Sequence, residues 1–223
     1  MVLGTWWRKN WLRVLVHIGA WVPLSWLVIQ YLQGSFVVDP VREMTTYTGK
    51  TALILLMLSL ACTPISTVTG LKQVLRVRRA LGVYSLVYVS VHFAIFVGLD
   101  YRFDPGLLVE AIFEQRYVIV GFAAGVILLL LGVTSTRGWQ RRLRRNWKRL
   151  HRLVYVAGIL VVAHFLWLSK DPQEPLRYGA LLVGLLLLRL PPIRGAISRL
   201  RRRLESRLKR NSERGLGVLA PHR

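Results

Sequence analysis

Long uncharged apolar runs alternate with short basic blocks along this chain, and this separation limits the fold more than any other feature. The 223 residues are 53% hydrophobic, yet the formal charge is +22. A run of about 18 or more apolar residues is long enough to cross the ~30 Å hydrocarbon core as a helix. The sequence therefore predicts an all-α polytopic membrane protein with six transmembrane helices. The runs are Val14–Leu32, Thr51–Val68, Ala80–Leu99, Tyr117–Thr136, Leu150–Leu168 and Leu176–Leu190.

The fifth and sixth runs carry charged residues at their ends. His151 and Arg152 lie near the start of the fifth run, and Arg177 and Arg189 lie at the edges of the sixth. Because long arginine side chains can carry their charge to the membrane surface, both runs are still interpreted as spans.

The basic residues predict the orientation of the chain. Of the 32 Lys and Arg, 26 fall in the N-terminal arm, after the second and fourth runs, and in the C-terminal tail. Cytoplasmic segments carry the excess of Lys and Arg, so both termini are expected in the cytoplasm. We divide the chain into a transmembrane domain, 1–198, and a basic cytoplasmic tail, 199–223.

The tail begins with a basic stretch, Arg199–Arg210, whose aliphatic residues recur at roughly helical spacing. A basic amphipathic helix after a membrane span typically lies against anionic lipid headgroups. Membrane lipid is therefore the expected partner, and nucleic acid is not, although a basic tail can also indicate nucleic-acid or protein binding.

Cysteine usage and nucleotide motifs exclude several kinds of cofactor site. Cys62 is the single cysteine, and the sequence has neither a C-x-x-C-H haem attachment motif nor a cysteine cluster. It also lacks GxGxxG, P-loop and HExxH motifs. A redox cofactor would therefore be held by histidine or without covalent or thiolate bonds.

Two histidines lie at matching depths in different spans. His92 is twelve residues into the third run and His164 fourteen residues into the fifth, or about 18 and 21 Å from the cytoplasmic end. Such a pair can ligate one haem iron from both faces, which predicts a b-type haem inside the helix bundle. The alternative is that each histidine only hydrogen-bonds across a helix interface.

A second level is indicated nearer the cytoplasm. His151 precedes His164 by thirteen residues, and the corresponding position of the third run carries Arg78. Arginine does not ligate iron but binds phosphate well, so this level could hold a phosphate-bearing cofactor such as flavin mononucleotide (FMN). Ordinary positive-inside arginines are an equally good explanation. The basic residues concerned are Arg76, Arg78 and Arg79.

Two further points concern His151. His17, in the first span, lies at a similar depth and could be its partner, although a lone polar residue on an apolar helix is more often structural. Thirteen residues at about 100° each place His151 and His164 off a common helix face. A kink or an offset between the levels would be needed for both to be ligands.

Short motifs along the chain resemble a known family in their order and spacing. They are VVDPV (Val37–Val41), YTGK (Tyr47–Lys50), CTPIS (Cys62–Ser66), RVRRALG (Arg76–Gly82), QRYVIVG (Gln115–Gly121), TST (Thr134–Thr136), NWKRLHRLVY (Asn146–Tyr155) and AHFLW (Ala163–Trp167). Together they resemble the MsrQ (YedZ) family, part of the ferric reductase-like transmembrane group. The resemblance covers nearly all of the chain before the tail.

The resemblance implies a haem b subunit that also uses FMN, in the bacterial inner membrane. Such subunits pass electrons from quinol or a flavin reductase to a periplasmic molybdopterin enzyme, MsrP, which reduces methionine sulfoxide and so repairs oxidised proteins. It implies cofactor contacts by His92, His164 and His151, and less directly by Arg78 and Arg79. Related NADPH oxidases stack two haems, but Arg78 favours one haem above a flavin, as in the STEAP-like reductases.

Two other functions remain open from the sequence. The chain could reduce ferric iron or oxygen by itself, or it could be a structural membrane protein without a cofactor. The leading hypothesis is an electron-transfer subunit that is not catalytic alone.

Overall fold

A computed structural model describes the backbone of residues 2–218 and the side chains of residues 10–207; His222 and the last residues of the tail lie outside this range. The described part folds into nine α-helices. They are α1 (Val2–Leu32), α2 (Pro40–Thr69), α3 (Arg78–Ile95), α4 (Pro105–Glu114), α5 (Arg116–Val133), α6 (Arg137–Leu150), α7 (Leu153–Leu168), α8 (Gln173–Leu187) and α9 (Pro191–Val218). A 3₁₀ turn, Lys72–Arg76, precedes α3, and a π-helical turn, Phe96–Asp100, follows it.

The expected all-α membrane fold is confirmed. Four helical segments are long and apolar enough to cross a membrane, and two bent helix pairs bring the number to six if each pair is one span. The pair α6 and α7 is bent by 53°, and the pair α8 and α9 by 73°. Many large apolar side chains are exposed along these helices, as expected of surfaces that face lipid.

Two segments between the predicted spans are helical. α4 lies between the third and fourth spans, and it starts where the Asp104 carboxylate accepts backbone N–H bonds and Pro105 takes the first helical position. α6 contains most of the basic block after the fourth span and is broken at Arg144, whose φ of 44° is not helical. The expected start of the fifth span near Leu150 also differs, since α7 begins at Leu153.

The centre of the bundle contains two helix pairs, α2 with α3 and α5 with α7, and Leu182 and Leu185 of α8 complete its main hydrophobic cluster. The side chain of Leu86 lies over Gly132, and the side chain of Leu60 lies near Gly158, where Leu182 is the nearest neighbour. A shift of 72 residues converts one contact into the other. Residues 72 positions apart therefore occupy related places in the two helix pairs, although no repeat is evident in the sequence.

Hydroxyl groups tie the buried parts of these helices together. Ser85 donates to the carbonyl oxygen of Ala52 at 2.8 Å, and Tyr88 donates to that of Ala20 at 2.7 Å. Ser85 and Tyr88 are almost completely buried. Hydrogen bonds between helices are a usual stabilising contact in membranes, where the lipid offers polar groups no alternative partner.

The start of the tail packs against the bundle. α9 runs through position 199 without a break, so the boundary expected there does not interrupt a helix. Arg201 donates to the carbonyl oxygens of Ser66 and Thr67 at the end of α2, at 3.4 and 3.1 Å. Gly70 caps the C-terminus of α2, and its φ of 78° is the left-handed conformation typical of the residue after a helix.

Candidate haem site

His92 on α3 and His164 on α7 face each other inside the bundle. Their ring centres are 6.3 Å apart and their planes are inclined by 86°. A metal–nitrogen bond of about 2 Å and a further ~1 Å from nitrogen to ring centre on each side would separate two axial imidazoles by about 6 Å. The structure thus brings the two rings together, and the distance between their centres is close to that of two imidazoles bound to one iron.

Both rings are oriented by a backbone carbonyl group. Nδ1 of His92 is 2.9 Å from the carbonyl oxygen of Thr45, and Nδ1 of His164 is 2.7 Å from that of Tyr117. A carbonyl oxygen only accepts hydrogen bonds, so each Nδ1 carries the proton and donates. Each neutral ring then keeps a free lone pair on Nε2, which is the form that binds a metal.

Two glycines make room for the rings. A Cβ atom at Gly121 would lie 2.6 Å from Nδ1 and Cε1 of His164, and one at Gly49 would lie 3.1 Å from Nδ1 of His92. Any side chain at position 121 would therefore overlap the imidazole. Gly49 belongs to the motif YTGK and Gly121 to QRYVIVG, but neither motif indicates that its glycine lies against a histidine.

The position of each glycine has a simple explanation. Gly49 follows Thr45 by four residues, and Gly121 follows Tyr117 by four. In a helix, the Cβ of a residue points toward the N-terminus and lies over the preceding turn. A glycine four residues after each carbonyl therefore leaves that carbonyl accessible to a histidine from another helix.

The donor set fits haem better than a free metal ion. Two imidazoles on opposite sides supply the axial ligands of a haem, whose remaining iron ligands come from the porphyrin. The described residues contain no group of three or more His, Cys, Asp or Glu side chains placed to hold a metal ion. The geometry thus supports a cofactor that needs only two protein ligands.

His151 lies at the bend of 53° between α6 and α7. A kink or an offset was expected only if His151 and His164 are both ligands. Its Nε2 is 3.3 Å from the hydroxyl of Thr134, which itself donates to Leu130. That hydroxyl can only accept from His151, so the proton of His151 is on Nε2. Its ring lies against Trp147 at 4.1 Å between centres. His151 is therefore arranged differently from the facing pair.

His17 has a separate partner. Its Nδ1 is 2.8 Å from the hydroxyl of Tyr84, and the two rings make an edge contact at 5.6 Å. The pairing of His17 with His151 that the sequence left open is not among these contacts. The structure favours the structural interpretation of His17.

Arg78 lines a small polar cavity, and Arg79 does not. The cavity volume is about 240 Å³, and we call it the arginine pocket. Its lining residues are Thr63, Arg78, Tyr155, Leu188, Arg189 and Arg194. Arg189 was noted only as the edge of a span and Arg194 not at all, because the sequence shows neither one near Arg78.

The membrane fold agrees with comparisons to known proteins. A family model described as "Ferric reductase like transmembrane component" matches residues 48–162, more than half of the chain. The class is therefore that of a ferric reductase-like transmembrane protein.

Comparisons with individual proteins identify the family within this class. A protein of Xanthomonas axonopodis pv. citri is 44% identical over 181 residues, and one of Xanthomonas euvesicatoria pv. vesicatoria is 45% identical over the same length. Each alignment covers 78% of this chain and 83% of the relative, and both relatives are named protein-methionine-sulfoxide reductase heme-binding subunit MsrQ. The chain belongs to the MsrQ family.

Proposed function

We propose that this chain holds haem b between His92 and His164 and carries electrons outward as the membrane subunit of a methionine sulfoxide reductase system. The observation that carries the proposal is the facing pair of rings, each with Nδ1 bonded to a carbonyl and Nε2 left for iron. The names of its relatives support the same conclusion.

The direction of transfer is part of the proposal. Electrons enter on the cytoplasmic side of the bacterial inner membrane, from quinol or a flavin reductase, and leave to the periplasmic molybdopterin reductase MsrP. The concentration of basic residues on one side supports this orientation, with both termini in the cytoplasm. The partner would then convert polar methionine sulfoxide back to apolar methionine.

The residues of the chain act by holding and orienting the cofactor. When bound, haem supplies a one-electron carrier. The hydrogen bonds that His92 and His164 donate to the carbonyl oxygens of Thr45 and Tyr117 hold each imidazole in one orientation and one tautomer. Neither histidine has to move a proton, so this chain needs no acid–base group for the transfer.

FMN is the proposed second cofactor, nearer the cytoplasm. Arg78 precedes His92 by fourteen residues on α3, or about 21 Å along the helix, and lines the arginine pocket. Arg78 and, less directly, Arg79 are the proposed phosphate contacts. His151 stays a third candidate iron ligand, and it would have to give up its bond to Thr134 to bind through Nε2.

Replacing each ligand tests the proposal. The variants His92→Ala and His164→Ala should insert into membranes but lose the low-spin haem spectrum, measured by reduced absorption bands and a pyridine haemochrome assay. His17→Ala is the matched control and should keep the spectrum, since His17 bonds to Tyr84. A normal spectrum in both ligand variants would show that haem is held elsewhere or not at all.

Activity assays distinguish the leading function from the alternatives. Reduced protein should be reoxidised quickly by MsrP with methionine sulfoxide and slowly by ferric chelates or oxygen alone. Fast reoxidation without MsrP would instead support a stand-alone reductase.

A further inference from the structure

Three arginines from different parts of the chain meet in the arginine pocket without a carboxylate. Arg78 begins α3, Arg189 follows the end of α8, and Arg194 lies in the first turn of α9. No Asp or Glu lines the pocket. The ion pairs found among the described side chains, Lys50 with Glu174 and Arg201 with Glu205, involve none of these arginines.

Arg189 is held firmly but is not fully satisfied. Its Nη1 donates to the hydroxyl of Tyr155 at 2.7 Å, its Nη2 donates to the carbonyl oxygen of Leu60, and its guanidinium lies 5.3 Å from the centre of the Tyr155 ring. Its Nε is buried and has no hydrogen-bond partner. A charged donor left in this state costs free energy unless another group accepts from it.

Arg78 is held only weakly. Its Nη1 lies 3.5 Å from the hydroxyl of Thr63, at the limit of a hydrogen bond. A guanidinium carries five N–H donors, so most of those on Arg78 are available to a ligand. Like charges brought together in one pocket repel each other, and an anion between them would turn this repulsion into attraction.

The pocket is the right kind of site for a phosphate ester. Arginine forks bind phosphate oxygens through paired, charge-assisted hydrogen bonds. At about 240 Å³, the cavity is smaller than the ~300–1,000 Å³ typical of sites that enclose a whole small molecule. It would therefore enclose the phosphate end of a ligand, while the remainder lies outside.

We propose that Arg78, Arg189 and Arg194 bind the phosphate group of an amphiphilic ligand at the cytoplasmic edge of the bundle. Two sources share this chemistry: the phosphate of the FMN proposed above, and the headgroup of an anionic phospholipid. The first source rests on the proposed function. The lipid source does not rest on the proposed function. It is supported by the position of the pocket beside the bend between α8 and α9, at the end of an apolar helix.

The test compares ligands with and without the phosphate in purified full-length protein. FMN and riboflavin differ by that group alone, so their dissociation constants, measured by flavin fluorescence, report the contribution of the pocket. Phospholipid retention is measured in parallel by native mass spectrometry, with phosphatidylglycerol compared against phosphatidylcholine.

The variants are Arg78→Gln and Arg194→Gln, which leave the structural bonds of Arg189 in place. Arg199→Gln on the same helix as Arg194 is the control, because Arg199 is exposed and does not line the pocket. Haem absorption serves as the check on folding, since neither His92 nor His164 lines the arginine pocket.

Each outcome has a defined meaning. If FMN occupies the pocket, the wild-type protein binds FMN at least about tenfold more tightly than riboflavin, and both pocket variants lose this preference. If a lipid occupies it, the flavin preference is absent, but phosphatidylglycerol is retained by the wild type and lost from both pocket variants. Unchanged binding of FMN and of phosphatidylglycerol in both variants, relative to Arg199→Gln, overturns the proposal.

The result is independent of the haem proposal. Loss of phosphate binding with an intact haem spectrum would leave the haem site standing. Phosphate binding in a protein that holds no haem would instead reject the electron-transfer function and keep the pocket.

Discussion

Each histidine of the facing pair depends on a residue that has no side chain at all. Gly121 and Gly49 expose the carbonyls to which His164 and His92 donate, and their missing Cβ atoms leave the space that the rings occupy. The two arrangements correspond residue by residue under the 72-residue shift of the helix pairs. The orientation of the two imidazole rings thus depends on the glycines of α2 and α5 as well as on the histidines.

The two glycines should differ in their sensitivity to alanine. Gly121→Ala places a Cβ 2.6 Å from His164 and must displace the ring, whereas Gly49→Ala places one 3.1 Å from His92 and requires a shift of a few tenths of an ångström. We expect severe loss of haem in the first variant and partial loss or an altered spectrum in the second, measured as haem per protein.

The control is Gly125→Ala, one turn further along α5. Its Cβ would lie 3.8 Å from the nearest atom, in Val89. This variant should retain haem fully. Equal haem content in Gly121→Ala and Gly125→Ala would contradict the proposed role of the glycine.

At the scale of elements, the chain is held together by contacts between helix ends as well as by core packing. Arg201 joins α9 to the carbonyl oxygens of Ser66 and Thr67 near the C-terminus of α2, where the last carbonyls of a helix lack N–H donors from a following turn. A cation at a helix C-terminus also interacts favourably with the helix dipole. Lys50 on α2 joins that helix to α8, because its Nζ forms an ion pair with Glu174 at 2.7 Å.

Removing the Arg201 side chain should loosen α9. In Arg201→Ala we expect faster hydrogen exchange and faster proteolysis in α9, with an unchanged haem spectrum, because the contact is remote from the facing histidines. Arg202→Ala is the matched control, since Arg202 is exposed next to it. Identical exchange rates in the two variants would mean that the Arg201 bonds do not hold the helix.

The ion pair between Lys50 and Glu174 should contribute little. The two side chains are 35% and 43% exposed, so water screens their attraction. Glu174→Gln should lower the free energy of unfolding by less than about 1 kcal/mol, measured by thermal or denaturant unfolding in detergent. A much larger loss would show that the pair is shielded from water by lipid.

At the scale of the whole molecule, charge and hydropathy together define how the chain crosses the membrane. Six crossings, counting each bent pair as one span, return the chain to the side from which it started. In this topology, the four segments that carry 26 of the 32 Lys and Arg would lie on one side, as the positive-inside rule predicts.

This topology predicts that both ends of the chain are on the same side. Tags at the N- and C-terminus should both resist protease added outside intact spheroplasts, and a tag inserted in the segment between α3 and α4 should be cleaved. Cleavage of only one terminal tag would show that one bent pair does not cross the membrane.

The sequence by itself determined the helical class, the apolar segments and the depth match of His92 with His164. These properties can be read along the chain alone, because hydropathy is a local property and a helix rises by a constant amount per residue. Depth arithmetic could therefore align two histidines on different helices without knowledge of their packing. The regular helices expected in this way mostly agree with the structure.

Only the tertiary structure decided which side chains of different helices come into contact. The contact of Gly121 with His164, the partner of His17 and the convergence of Arg189 and Arg194 on Arg78 all depend on how each helix is rotated about its axis and which helices are neighbours. Those quantities arise from packing between residues far apart in the chain, such as the interlocking of the two helix pairs, and no local pattern encodes them.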